Sequence, residues 1–254
     1  MSDARVVAVI QARMGSTRVP GKILDDIGGR PLVFWTIDAV RAVPAINDVV
    51  VATTDKPADD PFAERLTAAG VRVHRGSTYD VLRRIVDAVR PLVPEVVLRQ
   101  TGDNPFPDPD VMEAQVQRLV KGGFDYVGIN GLPLGIGGEA VRMVALETAD
   151  REATEPADRE HVLPYLYARP ERFSIGALDD PPSWQHPRYT VDTDEDMAFA
   201  RAIATRLQAD GRVARLADLE SILAAEPGIA AMNRDVEQRH HRVAELTSPT
   251  RERA

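Results

Sequence analysis

Short apolar runs alternate with longer amphipathic stretches along most of this chain. The runs span four to six residues and are rich in β-branched side chains, a composition typical of strands buried on both faces. We predict strands at Arg5–Ile10, Asp48–Ala52, Val71–His74, Val96–Arg99, Asp125–Gly128 and Arg188–Val191.

Between these runs, apolar residues recur at the spacing of amphipathic helices, about 3.6 residues. The predicted helices are Pro31–Val43, Asp60–Ala69, Tyr79–Leu92, Pro109–Lys121, Ala157–Arg169, Met197–Leu207, Leu216–Ala225 and Ala231–Val243. This alternation predicts the α/β class, with a doubly wound, mostly parallel sheet and helices on both faces. Ligands of such sheets bind beyond the carboxyl ends of the strands, so the loops that follow strands are the candidates for chemistry.

The alternation is interrupted at residues 128–186. That segment begins with a glycine-rich, largely apolar stretch and continues into the predicted helix over Ala157–Arg169. We therefore predict one domain over residues 1–247, with a small subdomain inserted at 128–186. Residues 248–254 are polar and are expected to fray.

Composition narrows the class of protein. An apolar content of 44% and a charged content of 28% in 254 residues are typical of one soluble globular domain. A net charge of −8 argues against a nucleic-acid partner, and the absence of cysteine excludes disulfides, thiolate nucleophiles and Cys-ligated metals. No apolar run approaches a membrane span and no signal-peptide pattern is present, so we expect a cytoplasmic protein without a membrane partner.

The loop after the first strand, from Gln11 to Lys22, has the most specific chemistry. It holds two glycines, a proline, two hydroxyl side chains and three cations. Small residues let backbone N–H groups converge on one point, and cations neutralise an anion there, so the loop is suited to a polyphosphate. It is not a P-loop, because Ile23 follows the lysine where Ser or Thr is required. The alternative is an ordinary strand–helix connection that is basic.

Two aspartates follow predicted strands. Asp103 comes directly after Gly102, and Asp192 ends the strand that starts at Arg188. Mg²⁺ favours a few carboxylate ligands, and phosphate oxygens complete its coordination. Both aspartates could supply such a carboxylate. An isolated turn aspartate is more often structural. Helix capping by Thr193 accounts for the acids that follow it but does not require Asp192.

Two further strand ends are compatible with capping as well as binding. Thr53-Thr54-Asp55 suits either a nucleoside contact or a helix N-cap. At the next strand end, Ser77 and Asp80 form the pattern of a capping box.

The residues Arg13-x-Gly-Ser-Thr-Arg-x-Pro-Gly-Lys22, with Gly29-x-Pro-Leu32, resemble the signature loop of cytidylyltransferases, enzymes that activate acidic sugars and related acids as CMP derivatives. The closest resemblance is to the spore-coat polysaccharide branch. The chain is also similar to CMP-3-deoxy-manno-octulosonate and acylneuraminate cytidylyltransferases. The resemblance implies a fold like that of the nucleotide-diphospho-sugar transferases.

The resemblance also implies roles for individual residues. Nucleotide-binding residues would be Gln11, Arg13, Gly15, Ser16, Lys22, Arg75 and Gln100. Catalytic residues would be Arg13, Lys22, Asp103 and Asp192, the two aspartates holding Mg²⁺. The segment at 128–186 would bind the acceptor and form a homodimer contact, through Glu139, Arg142, Arg159 and His161.

The implied reaction couples CTP to an acidic sugar or another acidic or phosphorylated acceptor, giving a CMP-conjugate and pyrophosphate for surface polysaccharide or related biosynthesis. A sugar-1-phosphate uridylyl- or guanylyltransferase would share the fold but prefer another base. A glycosyltransferase would carry a D-x-D motif near the middle of its sequence. Asp108-x-Asp110 has that spacing, although the intervening Pro109 favours a helix cap. The non-catalytic alternative is a nucleotide-binding regulator.

Overall fold

The computed structural model describes residues 4–16, 18–179, 188–207 and 213–237. A seven-stranded sheet lies at its centre, and a two-stranded ribbon accompanies it. The strands are β1 (Val6–Gln11), β2 (Asp26–Ile27), β3 (Arg30–Pro31), β4 (Ile46–Thr54), β5 (Arg72–Gly76), β6 (Val96–Thr101), β7 (Tyr126–Asn130), β8 (Glu139–Arg142) and β9 (Ile175–Asp179).

The main sheet has the order β5-β4-β1-β6-β8-β7-β9. Strand β1 pairs in parallel with β4 and β6, β4 pairs in parallel with β5, and β7 does so with β9. Only β8, among the described strands of this sheet, runs antiparallel to its neighbours β6 and β7. The mostly parallel α/β sheet is therefore confirmed.

Helices cover both faces of the sheet. They are α1 (Leu32–Arg41), α2 (Asp60–Ala68), α3 (Val81–Val89), α4 (Pro109–Gly122), α5 (Met143–Glu152), α6 (Pro156–His161), α7 (Pro164–Tyr167), α8 (Asp194–Leu207), α9 (Leu216–Ala225) and α10 (Pro227–Ala230). Strand β1 shows why both faces are covered. Val7 and Val9 pack into the core that contains α3 and α5, while Val6, Ala8 and Ile10 pack into the core that contains α1 and α4. A strand apolar on both faces needs a helical layer on each side.

A third apolar cluster holds α8 and α9 against the loop near Tyr189 and against Trp35 of α1. Trp35 Nε1 donates to the carbonyl of Ile27 at 2.9 Å, which satisfies the buried indole. This cluster fixes the segment that leads to Asp192.

The structure corrects three predicted elements, Arg188–Val191, Ala157–Arg169 and Ala231–Val243. Arg188–Val191 is not a strand: Arg188 makes one isolated parallel bridge with Leu134, and the rest of the segment is extended loop. Four strands were not predicted: β2 and β3 of the ribbon, and β8 and β9 of the main sheet. Strand β8 is only four residues long and has charged residues at both ends, so its apolar pattern is too short to indicate a strand.

The predicted helix Ala157–Arg169 is broken into α6 and α7 at Val162. Its φ of 78° and ψ of −60°, with Leu163 N donating to His161 O at 3.0 Å, form a γ-turn that a β-branched residue adopts rarely. The predicted helix Ala231–Val243 is also wrong where described, because residues 231–235 are turns and bends and residues 236–237 have no regular secondary structure. The remainder of that helix and the tail at 248–254 lie outside the described residues.

In the described part of the protein, no helix is long and apolar enough to cross a membrane.

Candidate active site

A cleft of about 500 Å³ opens at the carboxyl ends of β1 and β6. Its walls are the loop after β1, the start of α3, the ends of β6 and α6, and Asp192. Five cations line it against three carboxylates, although the whole chain has a net charge of −8. The charged lining residues are Arg13, Arg18, Lys22, Arg84, Arg99, Asp103, Glu160 and Asp192. An acidic protein that concentrates cations in one cleft has a site suited to an anion.

Lys22 lies at the centre of the first charged group. Its ammonium nitrogen Nζ is 2.8 Å from Asp103 Oδ2 and 3.3 Å from Asp192 Oδ1, and it donates to the carbonyl of Val191 at 2.5 Å. Only 8% of the Lys22 side chain is exposed. The two aspartates, which are 89 positions apart, therefore meet at one nitrogen atom, although only Asp103 follows a strand of the sheet. We call these three residues the Lys22 cluster.

Backbone contacts hold the two aspartates together. Val191 N donates to the backbone carbonyl of Asp103 at 2.9 Å. This bond joins the residue before Asp192 directly to Asp103. Gly102 allows the end of β6 to approach the loop after β1, since a Cβ there would lie 2.7 Å from the Cβ of Ala12. The separation of the carboxylates is thus set by the fold.

Asp192 is oriented by a second layer of charges. Asp196 is fully buried, and its Oδ2 accepts from the backbone N–H groups of Asp192 and Thr193. Arg188 donates to Asp196 Oδ2 at 2.9 Å and to Asp192 Oδ2 at 3.2 Å. Thr193 Oγ1 accepts from Asp196 N, so the predicted helix cap is present. These contacts leave the other oxygen of Asp192 for the cleft.

The loop after β1 is closed by its own hydrogen bonds. Gly21, with a φ of 76°, donates its N–H to the carbonyl of Met14 at 3.1 Å, and Ser16 Oγ accepts from Val19 N at 3.2 Å. Gly15 and Ser16 line the cleft, as does Arg18, whose guanidinium is 2.7 Å from Asp192 Oδ1. The loop thus surrounds the Lys22 cluster.

Gln11 and Glu139 belong to a second series of contacts. Gln11 Oε1 accepts from Arg99 at 2.9 Å, and Arg99 is ion-paired with Glu139. Glu139 also accepts from the hydroxyl of Tyr126 at 2.9 Å. Burial, and then the Glu139 charge, raises the pKa of Tyr126 well above its usual value, so this hydroxyl stays a donor. Arg99 connects Glu139 to the cleft wall.

Helix α6 brings Glu160 and His161 to the cleft but turns Arg159 away from it. Arg159 forms a bidentate pair with Asp80, at 2.9 and 2.6 Å, and also contacts Asp150 Oδ1 at 2.8 Å. Asp80 caps α3 through Arg83 N. Arg159 therefore connects three helices, and the predicted contact with the acceptor is not supported by its placement.

Four other predicted residues do not line the cleft: Glu139, which reaches its wall only through Arg99, and Arg75, Gln100 and Arg142. Arg75 donates to the carbonyls of Thr54 and Lys56 and pairs with Asp60, so its guanidinium holds loops together.

Gln100 is buried on the opposite face of β6, where its amide bonds Gly137 O and Thr101 N. Arg142 pairs across from Val96, at the other end of β6, while Glu139 pairs across from Arg99 beside the cleft. Because β8 runs antiparallel to β6, its first residue, Glu139, lies near the carboxyl end of β6, and its last residue, Arg142, lies at the amino end. Arg142 is therefore not brought to the predicted site.

The Lys22 cluster has the donor set that Mg²⁺ favours. A cation, the lysine ammonium, already lies between the two carboxylates, whose side chains are 29% and 23% exposed. Among the described residues, no group of three His, Cys, Asp or Glu side chains could hold a metal alone. Two carboxylates are nevertheless sufficient where substrate phosphates complete the coordination.

A family model described as cytidylyltransferase matches residues 7–238 of the chain. The chain belongs to the cytidylyltransferase family. The spore coat polysaccharide biosynthesis protein SpsF of Bacillus subtilis is 37% identical over 205 residues, which are 78% of this chain and 85% of that protein. This cytidylyltransferase is therefore a nucleotidyltransferase, and the resemblance stated from its motifs is confirmed.

Solved structures agree with this assignment. A cytidylyltransferase from Leptospira borgpetersenii has a TM-score of 0.82 at 27% identity, covering 93% of this chain and 100% of that one. A CMP:2-keto-3-deoxy-manno-octonic acid synthetase complexed with CTP shares the fold, with a TM-score of 0.63 at 19% identity over 80% of this chain and 99% of that one.

Sequence reasoning missed several charged residues that either line the cleft or orient Asp192 beside it. Arg18, Arg99, Arg188 and Asp196 looked like ordinary members of a loop, a strand or a first helical turn. Arg84 offered a better signal. It lies three residues after Val81 and four before Ala88, which are both buried, so helical spacing places it on the buried face of α3.

Proposed function

We propose that this protein transfers CMP from CTP to an acidic sugar or another acidic acceptor, releasing pyrophosphate. The observation that carries the proposal is the Lys22 cluster beside a glycine-containing basic loop, in a chain of the cytidylyltransferase family. The CTP held by a synthetase of the same fold supports CTP as the nucleotide.

The loop after β1 and Lys22 would bind the β- and γ-phosphates, which leave as pyrophosphate. Arg13 and Ser16 line the cleft on that loop, and Arg18 lies next to Asp192. An acceptor oxygen would attack the α-phosphorus in line, forming the new P–O bond as the bond to the β-phosphate oxygen breaks. Catalysis would come mainly from positioning and charge neutralisation, since the phosphorus is already electrophilic.

Asp103 and Asp192 would hold Mg²⁺, which supplies positive charge to the phosphates when bound. Lys22 would then donate to phosphate oxygens rather than to the two carboxylates. Its nearly buried ammonium already makes three contacts, with two carboxylates and a carbonyl, so it is held in place before the nucleotide arrives. This exchange of partners is the central claim of the proposed function.

The acceptor would lie where Arg99, Glu160 and His161 line the cleft. Arg99 is a cation at that wall, partly neutralised by Glu139, and it suits a carboxylate. A homodimer and a role in surface polysaccharide biosynthesis remain parts of the same proposal, supported by resemblance and by the name of the Bacillus relative.

The test measures nucleotide choice and product together. The protein is incubated with Mg²⁺, each of CTP, UTP, GTP and ATP, and a panel of acidic sugars, while pyrophosphate release and CMP-conjugates are followed. We expect turnover with CTP and at least one acidic sugar. Preference for UTP or GTP would assign the protein to the sugar-1-phosphate transferases, and nucleotide binding without turnover across the panel would favour a regulator.

A further inference from the structure

Arg84 is a buried cation on the wall of the cleft. It belongs to α3 and is the largest fully buried side chain of the described residues, with 2% of it exposed, yet it lines the cleft. Its Nη1 donates to the carbonyl of Ser77 at 2.5 Å, while its Nε has no hydrogen-bond partner. Most of the donors of this guanidinium are therefore unused.

No carboxylate of the described residues lies within 4.0 Å of Arg84. Asp59 and Asp55 act on it from farther away, and Asp59 already accepts from Met14 N and contacts the hydroxyl of Thr54. Burial, and next the repulsion of Arg13, lowers the pKa of Arg84 to about 10, so it remains charged at neutral pH. Arg13 also has no ion-pair partner among the described acids.

A buried charge without a counter-ion destabilises a fold, and an apolar side chain of similar volume would serve the core better. The local backbone nevertheless makes room for the arginine. A Cβ at Gly76 would lie 3.1 Å from Arg84 Cγ, so the glycine at the end of β5 lets the stem pass. An arrangement that is unfavourable in the unliganded protein is expected where a ligand completes it.

We propose that Arg84 and Arg13 form an oxyanion subsite on the wall of the cleft, additional to the Lys22 cluster. Guanidinium groups suit this role because their N–H groups form a planar fork that matches the oxygens of phosphate or carboxylate. The existence of the subsite follows from burial and charge. The identity of its anion rests on the proposed function.

Two groups of the proposed reactants carry such oxygens, namely the phosphates of the nucleotide and the carboxylate of the acceptor. Both would neutralise the two guanidinium groups at once. Inorganic tripolyphosphate represents the first source without a base, and 3-deoxy-manno-octulosonate represents the second. Cytidine, which is uncharged, serves as the reference ligand.

The experiment is calorimetric titration of the full-length protein with these three compounds, for wild type, Arg84→Met and Arg84→Lys. Arg83→Met is the matched control, because Arg83 is the adjacent residue of α3 but is half exposed and paired with Asp87 and Asp150. We expect Arg84→Met to weaken one anion at least tenfold, Arg84→Lys to weaken it less, and cytidine binding to stay unchanged. The Arg83 variant should bind as wild type does.

The melting temperature without ligand separates a binding role from a structural one. Arg84→Met should melt at the wild-type temperature or above it, because an uncompensated charge has been removed. Loss of tripolyphosphate affinity would identify the phosphate source, and loss of sugar-acid affinity the carboxylate source. Unchanged affinity for both anions, or wild type that binds neither, would overturn the subsite. If wild type binds tripolyphosphate through Arg84 but does not prefer CTP, the proposed function fails and the subsite stands.

Discussion

The two groups of cations in the cleft differ in what neutralises them. Lys22 and Arg18 are ion-paired with Asp103 and Asp192, at distances from 2.7 to 3.3 Å. Arg84, which lines the same cleft from α3, has no carboxylate within ion-pair distance in the described part of the protein, and the cation that acts on it most strongly is Arg13. The paired group can keep its shape without a ligand, whereas the unpaired group gains a counter-ion only from one.

This difference suggests two ways of binding an anion. The Lys22 cluster must exchange partners, so its affinity for phosphate depends on what replaces the lysine at the carboxylates. The subsite of Arg84 and Arg13 needs no exchange of ion-pair partners, because neither guanidinium is paired with a carboxylate of the described residues. A third arrangement, Arg159 with Asp80 and Asp150, is closed on itself and holds helices together.

The largest effect is expected from Asp192→Asn, which keeps the shape of the side chain but removes its charge. We predict at least about a hundredfold lower turnover with little change in the fold, because a charge that stabilises the transition state is lost. Steady-state kinetics of pyrophosphate release measures this. Asp110→Asn is the control, since Asp110 is 75% exposed and pairs only with Arg215 among the described residues. Full activity of the Asp192 variant with Mg²⁺ would refute the metal assignment.

The ion pairs of Arg159 with Asp80 and Asp150 predict the next effect, which is on stability rather than on activity. Arg159→Met should lower the free energy of unfolding by about 3 kcal/mol, because the helix cap Asp80 loses its ion-pair partner and the buried side chain of Asp150 keeps only Arg83. The affinity of the folded protein for CTP should not change. Denaturant unfolding and CTP titration measure the two quantities. A variant of wild-type stability with weakened acceptor use would return Arg159 to the acceptor site.

A smaller loss of stability is expected from Tyr126→Phe. The variant removes the hydroxyl that donates to Glu139 at 2.9 Å and should lower the free energy of unfolding by about 1–2 kcal/mol. Because Glu139 would still pair with Arg99, nucleotide binding should be retained. Equal stability of variant and wild type in urea would show that this hydrogen bond contributes nothing.

The smallest effect concerns His74, whose imidazole reports the field of Arg84. Burial lowers the pKa of His74, Asp87 raises it, and the charge of Arg84 lowers it further. Removing that charge in Arg84→Met should therefore raise the pKa of His74. An NMR titration of the imidazole measures the change. An unaltered or lower pKa would mean that the charge of Arg84 does not reach this residue.

The lowered pKa of His74 also makes the stability of the folded protein depend on pH. The folded state disfavours the charged imidazole. Above the ordinary pKa of 6.5, where the imidazole is neutral in both states, His74 does not change the free energy of unfolding. Stability is lost as the pH falls below that value towards the lower folded pKa. His74→Gln should flatten this part of the stability profile.

The strand ends that matter for chemistry were readable in the sequence because buried parallel strands are continuous apolar runs. The first loop follows β1 and Asp103 follows β6, and the structure brings Asp103 to Lys22 of that loop. Asp192 reaches the same lysine from a loop. The segment Arg188–Val191 has the same composition as a strand but is extended loop, since the bridge with Leu134 is its only pairing among the described residues. Local pattern cannot separate these cases, because pairing depends on distant residues.

The direction of charged side chains was harder to predict. Arg159 and His161 are two positions apart on α6, yet one joins Asp80 and Asp150 while the other lines the cleft. Arg75 and Gln100 stand at strand ends but turn to loop carbonyls and backbone groups. Tertiary neighbours decide which partner an arginine or amide side chain contacts. The family motifs therefore located the segments of the site more reliably than they predicted the contacts of individual side chains.

The most direct test of the partner exchange at Lys22 is calorimetric titration with CTP, in Mg²⁺ and in EDTA, for wild type and for Asp103→Asn combined with Asp192→Asn. If the carboxylates take Mg²⁺ when Lys22 turns to the phosphates, Mg²⁺ should strengthen CTP binding about tenfold or more in wild type and have no effect in the double variant. Equal wild-type affinity in Mg²⁺ and EDTA, or a Mg²⁺ effect that survives in the double variant, would contradict the account.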